Sequence, residues 1–187
     1  AKPNEPFWDS PWGKGRPGWH IECSAMAKEL LGDTIDIHGG GEDLIFPHHE
    51  NERAQSECCT QQPLANYWLH NGFVTIKDEK MSKSKKNFVT IRNILETYPG
   101  EVIRFFLMKT HYRKLLNYTV AGLNEARQAY NRLTSTLKNS EENQTLLEKH
   151  RMVFQRLEDE FLSALSDDIN TSEAIGILFK MNKKVNE

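Results

Sequence analysis

Three cysteines, no long apolar run and little net charge mark this 187-residue chain by what it lacks. Cys23, Cys58 and Cys59 form no spaced framework, which excludes a disulfide scaffold and points to a reducing compartment. The apolar runs are far too short to span a bilayer, and Ala1-Lys2-Pro3-Asn4 opens without an apolar signal region or an initiator Met. The expectation is a cytoplasmic protein with no membrane partner, cropped or processed from a longer one. A net charge of −2 removes whole-molecule attraction to polyanions, so any nucleic-acid contact must come from a local patch. Hydrophobic content of 38% and charged content of 27% suit a globular fold.

Residues 1–18 hold Pro3, Pro6, Pro11, Pro17, Gly13, Gly15 and Gly18, too many breakers for a helix, and read as an extended loop. Trp19, Cys23, Met26 and Leu30 then recur at helical spacing, predicting a helix over Trp19–Leu31 stopped by Gly32. Thr34 to His38 alternates as a strand, and Gly39-Gly40-Gly41 predicts a turn whose backbone approaches a neighbour closely or takes positive φ. Pro47 suits the first turn of a helix running to about Cys59. Tyr67 to Ile76 reads as a strand, Lys77 to Asn87 as a loop, and residues 91–98 and 101–116 as helices around Pro99-Gly100. Strands alternating with helices predict an α/β unit.

The pattern changes after Asn117. Val120, Leu123, Ala126, Tyr130, Leu133 and Leu137 follow helical spacing, as do Leu147, Phe154, Leu157, Phe161 and Ala164. Asn139 to Gln144 links them, Asp168-Ile169-Asn170-Thr171 breaks the pattern, and a third helix follows, predicting a bundle. The domain boundary is therefore expected near residue 117, with an α/β domain over 1–117 and helices over 118–187.

Lys77, Lys80, Lys83, Lys85 and Lys86 put five lysines into ten residues after a strand. Such a run is commonly a solvated basic face. Ammonium groups at this density also suit a mobile loop that closes over a triphosphate and neutralises charge growing on leaving pyrophosphate. The string Lys80-Met81-Ser82-Lys83-Ser84 resembles the second signature of class I aminoacyl-tRNA synthetases and sits where that signature belongs, between a strand and a loop.

His48 and Glu52 are four residues apart, which on a helix places both on one face, as two metal ligands must be. With Cys23 they make a thiolate, imidazole and carboxylate set suited to Zn²⁺. The residues alone leave this open: Cys23 lies on an apolar stripe, where a free Cys is commonly a small hydrophobe, and His48 to Glu52 fits an ordinary charged helix face.

Two longer strings narrow the reading. Gly15-Arg16-Pro17-Gly18-Trp19-His20-Ile21-Glu22-Cys23-Ser24-Ala25-Met26, and Asp36-Ile37-His38-Gly39-Gly40-Gly41-Glu42-Asp43-Leu44 followed by Phe46-Pro47-His48-His49-Glu50-Asn51-Glu52, resemble the cysteinyl-tRNA synthetases. With Lys80–Ser84 the likeness covers residues 6–120. It implies part of a class I Rossmann-like nucleotide-binding domain followed by an α-helical bundle. It also implies one zinc ion held by Cys23, His48 and Glu52, with a fourth ligand, a Cys, from an upstream half. Lys80 and Lys83 become the catalytic lysines, and Lys83, Ser82, Ser84, Gly41 and Asp43 the ATP-binding set, with Mg²⁺ accompanying ATP. Asp43 would stand near the ribose hydroxyls, though it also reads as a helix-start residue and the glycines as turn formers. Trp19 would line the cysteine pocket, or else be a core aromatic. No role follows for His20, His38 or His49.

The chemistry gives such a zinc a reason. Packing separates near-isosteres by only about 1–3 kcal/mol, whereas a soft metal separates a thiolate from a hydroxyl by affinity and acidity. The implied activity is activation of L-cysteine by ATP and transfer to tRNA(Cys), by a monomer. Asp167 to Ala174 resembles the start of the family's DALR-type anticodon-binding domain. The family's first signature, His-x-Gly-His, does not occur in these residues, so this stretch is expected to be inactive by itself. Two alternatives stand beside this reading: a cysteine ligase with an amino-sugar acceptor, and a non-catalytic zinc-stabilised binding module.

Overall fold

A computed structural model describes residues 2–76, 79–81, 88–138 and 150–186. It divides into two compact units, Ala1–Asn71 and Gly72–Glu187.

In the first unit, helix α1 spans Trp19–Leu31 and ends at Gly32, whose N–H bonds to the Lys28 carbonyl. Glu22 in its first turn and Lys28 in its last complement the helix dipole. These are the bounds the sequence predicts, but the apolar stripe is not the buried face. Trp19, Met26 and Leu30 are exposed, and the buried position is Ser24, which meets the second helix through Gln55 Oε1 at 3.1 Å.

Strand β1, Ile35–Gly41, pairs in parallel with β2, Ala65–Asn71, in register from Ile35↔Ala65 to Gly41↔Asn71. The predicted glycine turn is therefore strand, and none of Gly39, Gly40 or Gly41 has positive φ. Close approach is the reason for glycine there: a Cβ on Gly40 would lie 2.9 Å from His49 Cε1.

A 3-10 turn at Glu42–Leu44 and a π-helical turn at Ile45–His49 lead into α2, Glu50–Thr60. Regular helix starts three residues later than Pro47 predicts. Phe46 is extended (φ −132, ψ 133) before a cis bond to Pro47, in keeping with the bias of a residue before proline away from α geometry. Cys58 and Cys59 are exposed at the helix end.

The second unit opens with β3, Val74–Ile76, antiparallel to β4, Glu79–Lys80, and parallel to β5, Leu116–Asn117, in the order β4-β3-β5. The single strand predicted over 67–76 is thus two, broken at Gly72 and Phe73. Gly72 N–H bonds to the Tyr112 carbonyl at 2.8 Å, and a Cβ there would lie 2.5 Å from the Lys114 carbonyl oxygen. Part of the predicted loop over 77–87 is the strand β4. Ser82, Lys83 and Ser84 lie outside the described residues, as does the Lys80 side chain.

Helices α3, Ile91–Leu95, and α4, Gly100–Met108, follow. The helix predicted to reach 116 stops at Met108 because Leu116 and Asn117 are taken up in pairing with β3. Helices α5, Val120–Lys138, α6, Arg151–Ser166, and α7, Thr171–Val185, match the three predicted helices. The link at Asn139–Gln144 and Leu147 lie outside the described residues.

Two apolar clusters support this unit. Tyr98, Val102, Ile103 and Phe106 pack on Leu123 and Ala126, and Leu157 and Ala164 pack on Ala174 and Ile177. The α6–α7 turn holds two consecutive left-handed residues, Asp168 (φ 54) and Ile169 (φ 55), a conformation costing roughly 1–3 kcal/mol per residue unless its surroundings enforce it. Asn170 then caps α7, its side chain accepting from Glu173 N–H at 3.2 Å. Among the described residues no helix is long and apolar enough to cross a membrane.

Gly72→Ala is expected to destabilise the chain by about 1–3 kcal/mol or more, because the obstructing atoms are backbone. Gly176→Ala, in α7 with nothing within 4 Å of the added carbon, is expected to be neutral or to stabilise by up to ~1 kcal/mol. Urea denaturation midpoints check the pair; equal midpoints for the two variants contradict the packing at Gly72.

Candidate metal centre

The first unit buries few apolar residues: Ile35 and Leu64 are buried, and so are the polar Ser24, His48, His49, Glu52 and Ser56. Glu52 lies among imidazoles and is only 1% exposed. Cys23 comes from the second turn of α1, His48 from the turn before α2, and Glu52 from the first turn of α2. Their Sγ, ring nitrogen and carboxylate oxygen lie within 4.8 Å of one another.

His48 Nε2 contacts Glu52 Oε1, and its Nδ1 lies 2.7 Å from His20 Nδ1. One of those two nitrogens must carry the proton. With His48 as donor, its Nε2 lone pair is free on the side of Cys23 and Glu52, the tautomer a metal requires. Trp19, one turn before Cys23, sets its exposed ring 4.2 Å from the His48 ring, centre to centre.

Glu52 Oε2 has no hydrogen-bond partner. His38 Nε2 stands 2.8 Å away, an ion-pair contact that carries charge only when that ring is protonated. Burial and the neighbouring Glu52 carboxylate both push the Cys23 thiol above its ordinary pKa, burial more strongly. A divalent cation between two anionic donors reverses that repulsion. A buried carboxylate beside a thiol and an imidazole backed by His20 therefore fits Zn²⁺ in donor type and charge.

His38, His49 and Glu52 form a second set within 4.8 Å. Here His49 Nδ1 is taken by His70 Nε2 at 2.7 Å. Burial, then the neighbouring His38, His70 and His48, lower the His49 pKa to about 4, so the ring is neutral at pH 7. Trp68 meets the His38 ring edge-on at 4.8 Å and tilts against His49 at 5.4 Å.

The structure thus brings Cys23, His48, Glu52 and Trp19 together. Gly41 ends β1 and precedes the 3-10 turn that holds Asp43, at the carboxyl end of parallel strands, where open α/β sheets bind ligands. Sequence reasoning missed His70 and Trp68. Their signal was alternation: they are two residues apart on β2, and Trp68 stands opposite His38 in register.

Comparison with known proteins places these features in a family. Residues 1–128 match the tRNA synthetases class I (C) catalytic domain, and residues 160–187 match the DALR domain. The chain is 54% identical to a cysteine--tRNA ligase of Nitrosomonas europaea over all of its own length and 41% of the relative's. It is 53% identical to that of Carboxydothermus hydrogenoformans over 97% of itself and 40% of the relative. The chain therefore spans about two fifths of these relatives. Its fold is similar to a leucyl enzyme from Agrobacterium radiobacter K84, solved as the ternary complex LeuRS-tRNA-LeuAMS, with a TM-score of 0.67 at 16% identity, covering 81% of this chain and 22% of that one.

Gly40→Ala places its methyl against His49 Cε1 at 2.9 Å and Leu44 Cδ1 at 3.0 Å. The variant is expected to lose about 1–3 kcal/mol and to break the His49–His70 contact. Thermal unfolding with imidazole nitrogen NMR checks this, and unchanged His49 and His70 resonances would refute it.

Proposed function

Because the chain belongs to the tRNA synthetases class I (C) catalytic-domain family, we propose that it is part of an enzyme that activates L-cysteine with ATP and transfers it to tRNA(Cys). The first step joins the cysteine carboxylate to the α-phosphate of ATP and releases pyrophosphate. The second moves the cysteinyl group to the 3′ end of the tRNA and releases AMP. The observation that carries this reading is the convergence of Cys23 and His48 on the buried Glu52 carboxylate.

Cys23, His48 and Glu52 would hold one zinc ion. When bound, the zinc supplies a soft Lewis acid that accepts the substrate thiolate in preference to a serine hydroxyl. Trp19, its ring lying on His48, walls the cysteine side chain. Gly41 and Asp43 face the adenosine, and Ser82, Lys83 and Ser84 bind the phosphates of Mg²⁺-ATP. Lys80 and Lys83 neutralise charge growing on the leaving pyrophosphate. Residues 1–117 form the catalytic segment, and 118–187 begin the helical domain that meets tRNA. The DALR match over 160–187 favours tRNA over an amino-sugar acceptor. The working protein is a cytoplasmic monomer.

Cobalt titration tests the metal reading directly. A thiolate-to-cobalt absorption band is expected, absent in Cys23→Ala and changed by L-cysteine but not by L-serine. A band that ignores both amino acids would make the site structural, and no band at all would remove the metal from these residues. In a separate assay, the 187 residues alone, which contain no His-x-Gly-His, are expected to give no cysteine-dependent exchange of pyrophosphate into ATP. Measurable exchange would show that the chemistry needs no such motif.

A further inference from the structure

We propose that Asp168 is a positioning residue: from the α6–α7 turn it fixes, through Tyr112 and Arg113, the strap that carries β5 and thereby the β3–β4 hairpin on which the Lys80–Ser84 stretch begins. Its bearing on catalysis rests on the ATP-binding role given to that stretch. The coupling itself belongs to the second unit and is tested without ATP.

The connection can be followed atom by atom. Asp168 Oδ1 accepts from Tyr112 Oη at 2.6 Å and from Arg113 Nη2 at 3.0 Å, while Oδ2 accepts from Arg113 Nε at 2.5 Å. His111 Nε2 stands 3.7 Å from the same carboxylate. A two-point guanidinium–carboxylate pair fixes orientation as well as distance. The same turn makes a second tie, Thr171 Oγ1 donating to the Met108 carbonyl at 2.7 Å. The segment between Met108 and β5 is thus held at its start and its middle by the turn before α7.

That segment in turn holds β3. The Tyr112 carbonyl accepts from Gly72 N–H at 2.8 Å, Leu116 N–H donates to the Phe73 carbonyl at 2.9 Å, and Tyr118 N–H donates to the Thr75 carbonyl at 2.7 Å. Buried Thr75 lies at the middle of β3, paired with Asn117 on one side and Lys80 on the other. Met81 N–H closes the hairpin by donating to the Val74 carbonyl at 3.1 Å.

The turn is conformationally expensive in a way that local sequence does not explain. Asp168 and Ile169 are both left-handed, and a β-branched residue in that region is an outlier. The geometry delivers the Asp168 carboxylate to Tyr112 and Arg113. Arg113 and Tyr112 hold that carboxylate's pKa down at about 2, so it is ionised at neutral pH.

Residue-resolved amide hydrogen exchange on the 187-residue chain tests the proposal. Asp168→Ala is expected to speed exchange about tenfold at Gly72, Leu116, Tyr118 and Met81, with Ile103 and Leu123 in the α4–α5 core within about twofold of the parent. Asp168→Asn keeps an acceptor oxygen and a residue at ease in left-handed backbone, and is expected to restore part of the protection. Acceleration confined to residues 168–171 overturns the proposal, because the turn would then be a local contact. Equal acceleration at Ile103 and Leu123 overturns it too, because Asp168 would then be a general stability residue. Should the alanine variant not fold, the asparagine variant decides by the same pattern: faster exchange at Leu116, Tyr118 and Met81 with the core unchanged supports the coupling, and an unchanged Met81 refutes it.

Discussion

A buried carboxylate governs the first unit. Taking an ionised Glu out of water costs several kcal/mol even after relaxation, unless partners surround it, and Glu52 is 1% exposed. Three elements of the unit place side chains against it or its immediate partner: α1 brings Cys23 and His20, β1 brings His38, and the turn before α2 brings His48. β2 contributes one layer further out, through His70 behind His49. With Ile35 and Leu64 the only buried hydrophobic residues of this unit among those described, its buried side chains are mostly polar. Its order depends on how the charge is met.

That dependence explains the glycines and imidazoles of β1 and its surroundings. Gly40 carries no Cβ because the His49 ring occupies the space, and His49 is held there by His70. Low-dielectric surroundings make a satisfied polar group rigid and an unsatisfied one costly. The Glu52 carboxylate beside the Cys23 thiol is the charge the network must meet. A divalent cation between the carboxylate and the Cys23 sulfur would meet it, and one more hydrogen bond would not relieve the Cys23–Glu52 repulsion.

Legibility in the sequence followed the kind of signal. Helix α1 was readable to the residue because a proline-glycine start and a glycine stop act locally, and the three later helices were readable because their apolar spacing is repeated over many turns. Gly39 to Gly41 misled because glycine is shared by turns and by strands under a crowded face, and the crowding residue, His49, becomes a neighbour only in three dimensions. Leu116 was read as the end of a helix for the same reason: its partner is β3, some forty residues earlier in the chain. At the site, the spacing of His48 and Glu52 only allowed a shared helix face, and all three of Cys23, His48 and Glu52 needed the family resemblance to be singled out. His70 and Trp68 carried only a period-two signal within a short strand, too weak to mark them without the parallel pairing of β1 with β2.

The two units solve different physical problems, and the proposed reaction needs both solutions. Telling cysteine from serine requires a chemical contrast, because one atom of size difference yields only about 1–3 kcal/mol in a packed pocket. A unit organised around a charged, thiol-bearing polar centre can supply that contrast, whereas an apolar core cannot. Handling a triphosphate requires instead a lysine-rich stretch brought to a defined starting point, since mutually repelling ammonium groups do not organise themselves. In the second unit the organisation comes from outside the stretch: apolar clusters set α4, α5, α6 and α7, backbone bonds from the 111–118 segment set β3, and β3 in turn pairs with β4. Support for the proposed sites thus comes from buried polar contacts in one unit and from hydrophobic packing in the other.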